Sequence, residues 1–404
     1  MNILYINHYA GSPDMGMEFR PYYLSREWIK MGYEVTVVAG NYSHLRQKNP
    51  DVTTDFLEEV IDSIKYVWVR TGEYEGNGVK RAFSMFRFVG KLWKHADEIV
   101  KRYKPDVVIA SSTYPLDTYP AQKIAKLSGA KYVHEVHDMW PITLIEVGGM
   151  SKWHPFVVLM QIAENSFCKN CDYVVSLLCA AKDYFVQHGM KPEKFKVVMN
   201  GIVEEEWEDA KQLPVQHKEL LDRLHNEGKF VICFFGSINK AYAVDYLLEA
   251  ARQLNNSKIS IVIVGEGNQK EELIKKTEGR NDIFFLPKIS KKAIPTLMEN
   301  IDCCYVGALR NDMFRFGICM NKLFDSMMSE KPILYAVEAP NNFITDYSCG
   351  ISVKAESVEA LAKGIEKLML LPTEKKKMMG QNGRKAVLNH FTYKKLAQQF
   401  AELF

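Results

Sequence analysis

The 404 residues carry 52 lysines and arginines against 49 aspartates and glutamates, so the chain is near neutral at +3 and gives no reason to expect a nucleic-acid partner. That length exceeds what one hydrophobic core usually supports, and two domains are expected. No apolar run approaches the roughly 18 residues of a membrane span, and Met1-Asn2-Ile3 leads into a strand pattern without a basic leader, which predicts a cytoplasmic protein. The eight cysteines fall mostly inside apolar patterns. Cys168-x-x-Cys171 has no second pair or histidine nearby, so core thiols are expected rather than a metal or disulfide framework.

Strand-length apolar runs alternate with helical patterns, the signature of parallel sheets covered on both faces. In the first half, strands are predicted at residues 3–8, 35–39, 66–70, 107–111, 132–135, 173–177 and 196–199. The loop Gly11-Ser-Pro-Asp-Met-Gly16 follows the first strand, at the sheet end where open α/β sheets bind ligands. Residues 80–104 read as helical, with Arg81, Arg87, Lys91, Lys94, Lys101 and Arg102 interleaved with Phe83, Phe86, Phe88 and Trp93. Such a helix suits an anionic membrane interface and, equally, packing of its aromatics on its own sheet. His134-Glu-Val-His137-Asp138-Met-Trp140-Pro141 closes another strand. The two histidines point to opposite faces, which argues against a shared metal; His137 beside Asp138 suits a polar ligand, and His134 a structural role.

Residues 211–228 turn polar, and the interdomain connection is placed there. Strands follow at 230–235, 259–264, 283–286 and 303–307, with helices at 244–254, 269–278 and 291–300. The domains are therefore 1–210 and 211–385, with a helix at 386–404 packing back on the first. Gly236-Ser237-Ile-Asn-Lys240 links a strand to a helix, where a lysine either neutralises phosphate or stands in solvent. Gly265-Glu-Gly267 permits a tight turn or close ligand approach, but is not the dinucleotide fingerprint. Residues 314–332, FRFGICMNKLFDSMMSEKP, form a loop feeding a helix, with Asp325 two turns inside and a strand at 332–337. A helix start offers N–H groups to a diphosphate, and a carboxylate inside can accept from ribose hydroxyls.

Taken together, the Gly loop after strand one, His137-Asp138, Asn200-Gly201, Lys240, Gly265-x-Gly267 and Asn321-Lys322-Leu-Phe-Asp325…Lys331-Pro332 resemble the retaining family 4 glycosyltransferases of the GT-B fold. The segments Met17-Glu-Phe-Arg-Pro-Tyr-Tyr-Leu-Ser-Arg-Glu-Trp28 and Phe314-Arg-Phe-Gly317 resemble its bacterial branch, which builds O-antigen, capsule and colanic-type polysaccharides. The resemblance implies two Rossmann-like doubly wound domains facing a central cleft. It implies transfer of a sugar, with retention, from a nucleoside-diphosphate donor, most often UDP-linked, to a glycan or polyprenyl-diphosphate-linked acceptor. The implied site has His137, Asp138 and Lys240 as catalytic groups. Its donor-binding residues are Gly16, Gly236, Ser237, Lys240, Gly265, Gly267, Gly317, Ile318, Cys319, Met320, Asn321, Lys322 and Asp325. Asp325 takes the place of the second acid of the E-x7-E motif; the first falls on Gly317, so its role passes to backbone N–H groups of residues 317–320, to another side chain, or to nothing. No Asp-x-Asp occurs, and neither cofactor nor metal is expected. The implied location is cytoplasmic, with residues 80–104 as a candidate contact to the inner face of the plasma membrane. Two rival readings are a nucleotide-sugar epimerase of similar fold and a non-catalytic sugar-binding protein.

Overall fold

The structure, a computed structural model, describes all residues except 17, 18 and 77, so the first two residues of the 17–28 motif lie outside the described residues. The chain forms two compact units, one of Met1–Met199 with Tyr393–Phe404 and one of Asn200–Thr392.

The first unit is built on β1 (Asn2–Ile6), β2 (Glu34–Gly40), β3 (Leu57–Ile61), β4 (Ile64–Val69), β5 (Val107–Ala110), β6 (Lys131–Val136), β7 (Tyr173–Ser176) and β8 (Phe195–Val197). Their order is β3-β4-β2-β1-β5-β6-β7-β8, parallel throughout except for the β3–β4 hairpin. Burial on both faces is why these parallel strands read as continuous apolar runs. Strand β3 was not predicted, because its Glu58, Glu59 and Val60 stand in solvent and leave no apolar pattern.

The predicted helix at 80–104 is two helices, Val79–Lys94 and Ala96–Tyr103, separated at His95. The first buries Ser84, Met85, Phe88 and Leu92, and leaves Phe83, Phe86 and Trp93 in solvent. Three of its cations are engaged locally: Lys91 pairs with Asp55 at 2.5 Å, Arg87 donates to the Thr71 carbonyl at 3.3 Å, and Arg81 Nε donates to the Tyr9 hydroxyl at 3.2 Å.

The second unit carries β9 (Phe230–Phe235), β10 (Ile259–Val264), β11 (Ile283–Leu286), β12 (Cys303–Gly307), β13 (Ile333–Ala336) and β14 (Gly350–Ser352), in the order β11-β10-β9-β12-β13-β14, all parallel. The polar segment at 211–228 is not a linker. It holds the Val215–Asn226 helix, which buries His217, Leu221 and Leu224, and His217 Nε2 donates to the Pro287 carbonyl at 2.9 Å.

The division falls instead at Met199/Asn200 and again at Thr392/Tyr393. Chain entry and exit are joined within the second unit by a bridge between Ile202 and Thr392, with Ile202 N–H donating to the Phe391 carbonyl at 2.9 Å. Of the terminal stretch, the Thr373–His390 helix stays in the second unit, and the Tyr393–Ala401 helix joins the first. There Trp28 Nε1 donates to the Ala397 carbonyl at 3.0 Å and its ring meets Phe400 edge-on.

In both sheets the strand order reverses beside the first strand, between β1 and β5 and between β9 and β12, and the carboxyl ends there are where ligands bind in such folds. All eight cysteines are free thiols, six of them buried, Cys168 and Cys171 included. Among the described residues no helix is long and apolar enough to cross a membrane.

Candidate functional site

At the reversal point of the second unit, β9 is followed by Gly236, whose φ of +118° is a conformation that side chains disfavour. A Cβ added there would stand 3.4 Å from the ammonium of Lys322, the second residue of the Asn321–Met328 helix. That ammonium lies 3.3 Å from the ring centre of Tyr242 and 4.2 Å from that of Phe234. It has no hydrogen-bond partner among the described residues, and burial lowers its pKa to about 7. The ring faces offset part of the desolvation cost of the cation, but neither supplies the countercharge that a bound anion would.

The sequence offered Lys240 for this charge. The structure places Lys240 in solvent at the start of a single 3-10 turn, Lys240–Tyr242, with its charge acting on Glu272. Asn239 shapes that turn, accepting from Ala241 N–H at 3.1 Å and donating to Ser237 Oγ at 3.2 Å.

Gly265 and Gly267 serve backbone packing. A Cβ on Gly265 would lie 1.9 Å from the Gly236 carbonyl oxygen, and one on Gly267 2.1 Å from that of Ile238. Ile238 N–H donates to the Glu266 carbonyl at 2.8 Å, so the two loops are held backbone to backbone. Beside them a cavity of about 270 Å³ is lined by Gly236, Ser237, Gly265, Glu266, Lys288 and Ile289 among others.

Gly317, at φ +100°, ends the short 3-10 turn Asp312–Phe316. Its N–H donates to the Phe314 carbonyl, and Ile318 N–H to Asn341 Oδ1, both at 2.9 Å. These two groups are thus committed inside the protein, and of the four N–H groups considered as a replacement for the missing acid they do not qualify. Cys319 Sγ accepts from Asn200 N–H at 3.1 Å, Met320 is the extended residue before the helix, and Asn321 is exposed as its first residue. Asp325 lies one turn into that helix rather than two. It is buried, and burial raises its carboxyl to about 6 against the opposing charge of Lys291.

In the first unit, Gly16 caps the 3-10 turn Pro13–Met15 with φ +81° and abuts the Gln47 side chain. His137 directly follows β6, its Nε2 2.8 Å from Ser111 Oγ and 3.0 Å from Glu135 Oε2. Asp138 is spent on its own loop: its oxygens accept from Trp140 Nε1 at 3.0 Å and Thr143 Oγ1 at 2.8 Å. His134 is buried with Nδ1 2.9 Å from the Tyr132 hydroxyl and its ring stacked on Phe167.

Beneath His137 lies an ion pair that the sequence reading missed. Glu135 is wholly buried, and Arg20 contacts its Oε1 through Nη2 at 2.8 Å and Nε at 3.0 Å. Burial pushes this carboxyl up, but Arg20, followed by His137 and Ser111, outweighs it and holds it well below the ordinary range. Arg20 also donates to the carbonyls of Met199 and Val198, at 2.5 and 2.8 Å. A carboxylate at a buried position of a parallel strand was the available signal, since it has to be paired. Nearby, burial raises the Asp117 carboxyl to about 7.

Comparison with known proteins covers both units. Residues 15–206 match the model for Glycosyltransferase Family 4, and residues 215–386 that for Glycosyl transferases group 1. The chain carries two glycosyltransferase domains. A curated relative of this glycosyltransferase, "Putative colanic acid biosynthesis glycosyl transferase WcaI" of Escherichia coli K12, is 26% identical over 67% of this chain and 68% of that protein. Among solved structures, Anabaena HepE in complex with UDP and glucose covers 100% of this chain and 98% of its own at TM-score 0.65 and 16% identity. WaaG, a glycosyltransferase involved in lipopolysaccharide biosynthesis, matches over 99% of both chains at TM-score 0.63 and 14% identity. The two parallel-sheet α/β domains of the glycosyltransferase therefore have the GT-B fold.

Proposed function

We propose that the protein transfers a sugar from a UDP-linked donor, held by the second unit, to a glycan acceptor held by the first, with retention of anomeric configuration, in bacterial surface polysaccharide synthesis. The observation that carries the donor half is the buried, unpartnered Lys322 ammonium against Gly236, on the first turn of the Asn321–Met328 helix. A diphosphate there would meet a positive charge and a helix N-terminus together. The 270 Å³ cavity beside the same loop suits a flat nucleobase, and Asp325 in the same helix suits the ribose hydroxyls. The binding of UDP by HepE supports the same nucleotide. A thermal-shift series of nucleotides and UDP-sugars tests this: a ligand at about 100 times its Kd stabilises by about 2.7 kcal/mol, and a flat response to UDP overturns the donor assignment.

The family resemblance supports retention, and the positive charge at Gly236 supports independence of a metal. The linkage in the isolated product is expected to keep the donor's anomeric configuration, with turnover unchanged by chelator. An inverted product, or loss of turnover with chelator, places the reaction in another class.

We propose further that the acceptor is lipid-linked and that the Val79–Lys94 helix meets the membrane. That helix has no acidic residue, and Phe83, Phe86 and Trp93 stand in solvent beside exposed Lys80 and Lys94. Lys80→Glu with Lys94→Glu spares Lys91, which the fold uses. The pair is expected to weaken cosedimentation with anionic vesicles by about 1 kcal/mol per reversed residue or more, leaving UDP binding intact. Unchanged cosedimentation removes the interfacial role.

A further inference from the structure

Glu135 presents two faces to the interior of the first unit. Oε1 accepts from Nε and Nη2 of Arg20. Oε2 accepts from the Tyr5 hydroxyl at 2.5 Å and Ser111 Oγ at 2.6 Å, and stands 3.0 Å from His137 Nε2. The serine has a single hydroxyl proton, and the carboxylate takes it. Toward His137, 2.8 Å away, Ser111 therefore offers only a lone pair, and the Asn7 amide donating to the same oxygen at 3.3 Å agrees with that assignment. If Nε2 carried no proton, either its contact with Glu135 or the contact between Ser111 and Glu135 would join two lone pairs. Nε2 must be protonated, which leaves the lone pair of the neutral ring on Nδ1.

We propose that Glu135 is a positioning residue for glycosyl transfer: it holds His137 in the Nε2–H form, so that Nδ1 is the atom offered to a sugar hydroxyl. This rests on the proposed glycosyl transfer and on the resemblance that makes His137 one of its catalytic groups. Arg20 makes the device one-sided. Its two N–H groups keep an acceptor at the Oε1 position, so whatever replaces Oε2 faces His137.

Glu135→Gln tests it. Arg20 draws the amide oxygen to the Oε1 position and leaves the NH₂ group toward His137, where it donates to Nε2 and moves the ring proton to Nδ1. The tautomer is read from ¹⁵N–¹H spectra of the His137 ring, assigned by loss of its signals in His137→Gln. Turnover is read as UDP released, with water as acceptor, from whichever of UDP-glucose, UDP-galactose and UDP-N-acetylglucosamine the wild type consumes fastest. Expected are an Nε2–H ring in the wild type, an Nδ1–H ring in the variant and a kcat lower by at least roughly tenfold, with KM and UDP affinity by calorimetry little changed.

An Nδ1–H ring in the wild type, a variant ring that stays Nε2–H, or an unchanged kcat in a variant whose tautomer has moved overturns the proposal. Should Glu135→Gln not fold, Glu135→Asp keeps the charge for Arg20 while withdrawing an oxygen from His137. It is expected to give a mixture of tautomers with reduced kcat, and a pure Nε2–H ring overturns the proposal. Failure of the wild type to bind UDP overturns the donor reading instead, and the His137 spectrum still reports on Glu135.

Discussion

Lys322→Met should cost UDP-sugar turnover roughly a hundredfold or more, because it removes the cation that would stabilise charge developing on the leaving diphosphate. Methionine fills much the same apolar slot against Phe234 and Tyr242, so the fold should survive. The ammonium has a pKa of about 7 in the free protein, against an ordinary 10.5. A bound diphosphate favours its charged form and raises that value, so above about pH 7 binding takes up a proton and affinity falls as pH rises. Without ligand the sign is opposite for stability. The unfolded chain binds the extra proton between about pH 7 and 10.5, so stability attributable to this group rises across that window. Calorimetry of UDP binding in buffers of different ionisation enthalpy reads the proton directly. Wild-type proton uptake of zero, together with undiminished binding in Lys322→Met, overturns the assignment. Lys240→Ala in the same assay separates the two lysines, and a loss as large as that of Lys322→Met would return the diphosphate to Lys240.

Arg20→Met should destabilise the protein by about 3–5 kcal/mol, the usual consequence of leaving a buried charge without its partner. Glu135 is wholly buried, and the same substitution strips the donors from the Met199 and Val198 carbonyls. Adding Glu135→Met should recover part of the loss, since an uncharged pair in a closed interior can approach or exceed the stability of the ion pair. Urea unfolding of the two single variants and the double measures it as a cycle. A loss under about 1 kcal/mol for Arg20→Met would mean that water reaches Glu135.

The sheets were the legible part. β9, β10, β11 and β12 lie at the residues the apolar runs marked, because a strand buried on both faces has little room for a polar side chain. β3 was hidden by its exposed glutamates and β14 by its three-residue length. The Val215–Asn226 helix was taken for a linker because it buries only His217, Leu221 and Leu224 under a polar surface. At the site, the glycine loops and the helix start were visible as loops at strand ends, but which lysine reaches Gly236 was not. Lys240 is nearer along the chain, whereas Lys322 arrives from the helix after β12, the strand next to β9 in the sheet. The Arg20–Glu135 pair spans 115 positions, and no spacing rule joins residues so far apart.

The bridge between Ile202 and Thr392 has a practical meaning for construction of the protein in pieces. The second unit is an insertion within the first, and its two ends lie side by side. An excised segment of residues 200–392 would have neighbouring termini, the geometry that tolerates circular permutation and grafting into a host loop. Lys322, Gly236 and Asp325 all travel with that segment. The nucleotide half of the proposal can therefore be assayed on a self-contained module, whereas the first unit needs its last twelve residues, Tyr393–Phe404, rejoined to Met199 through a short synthetic splice.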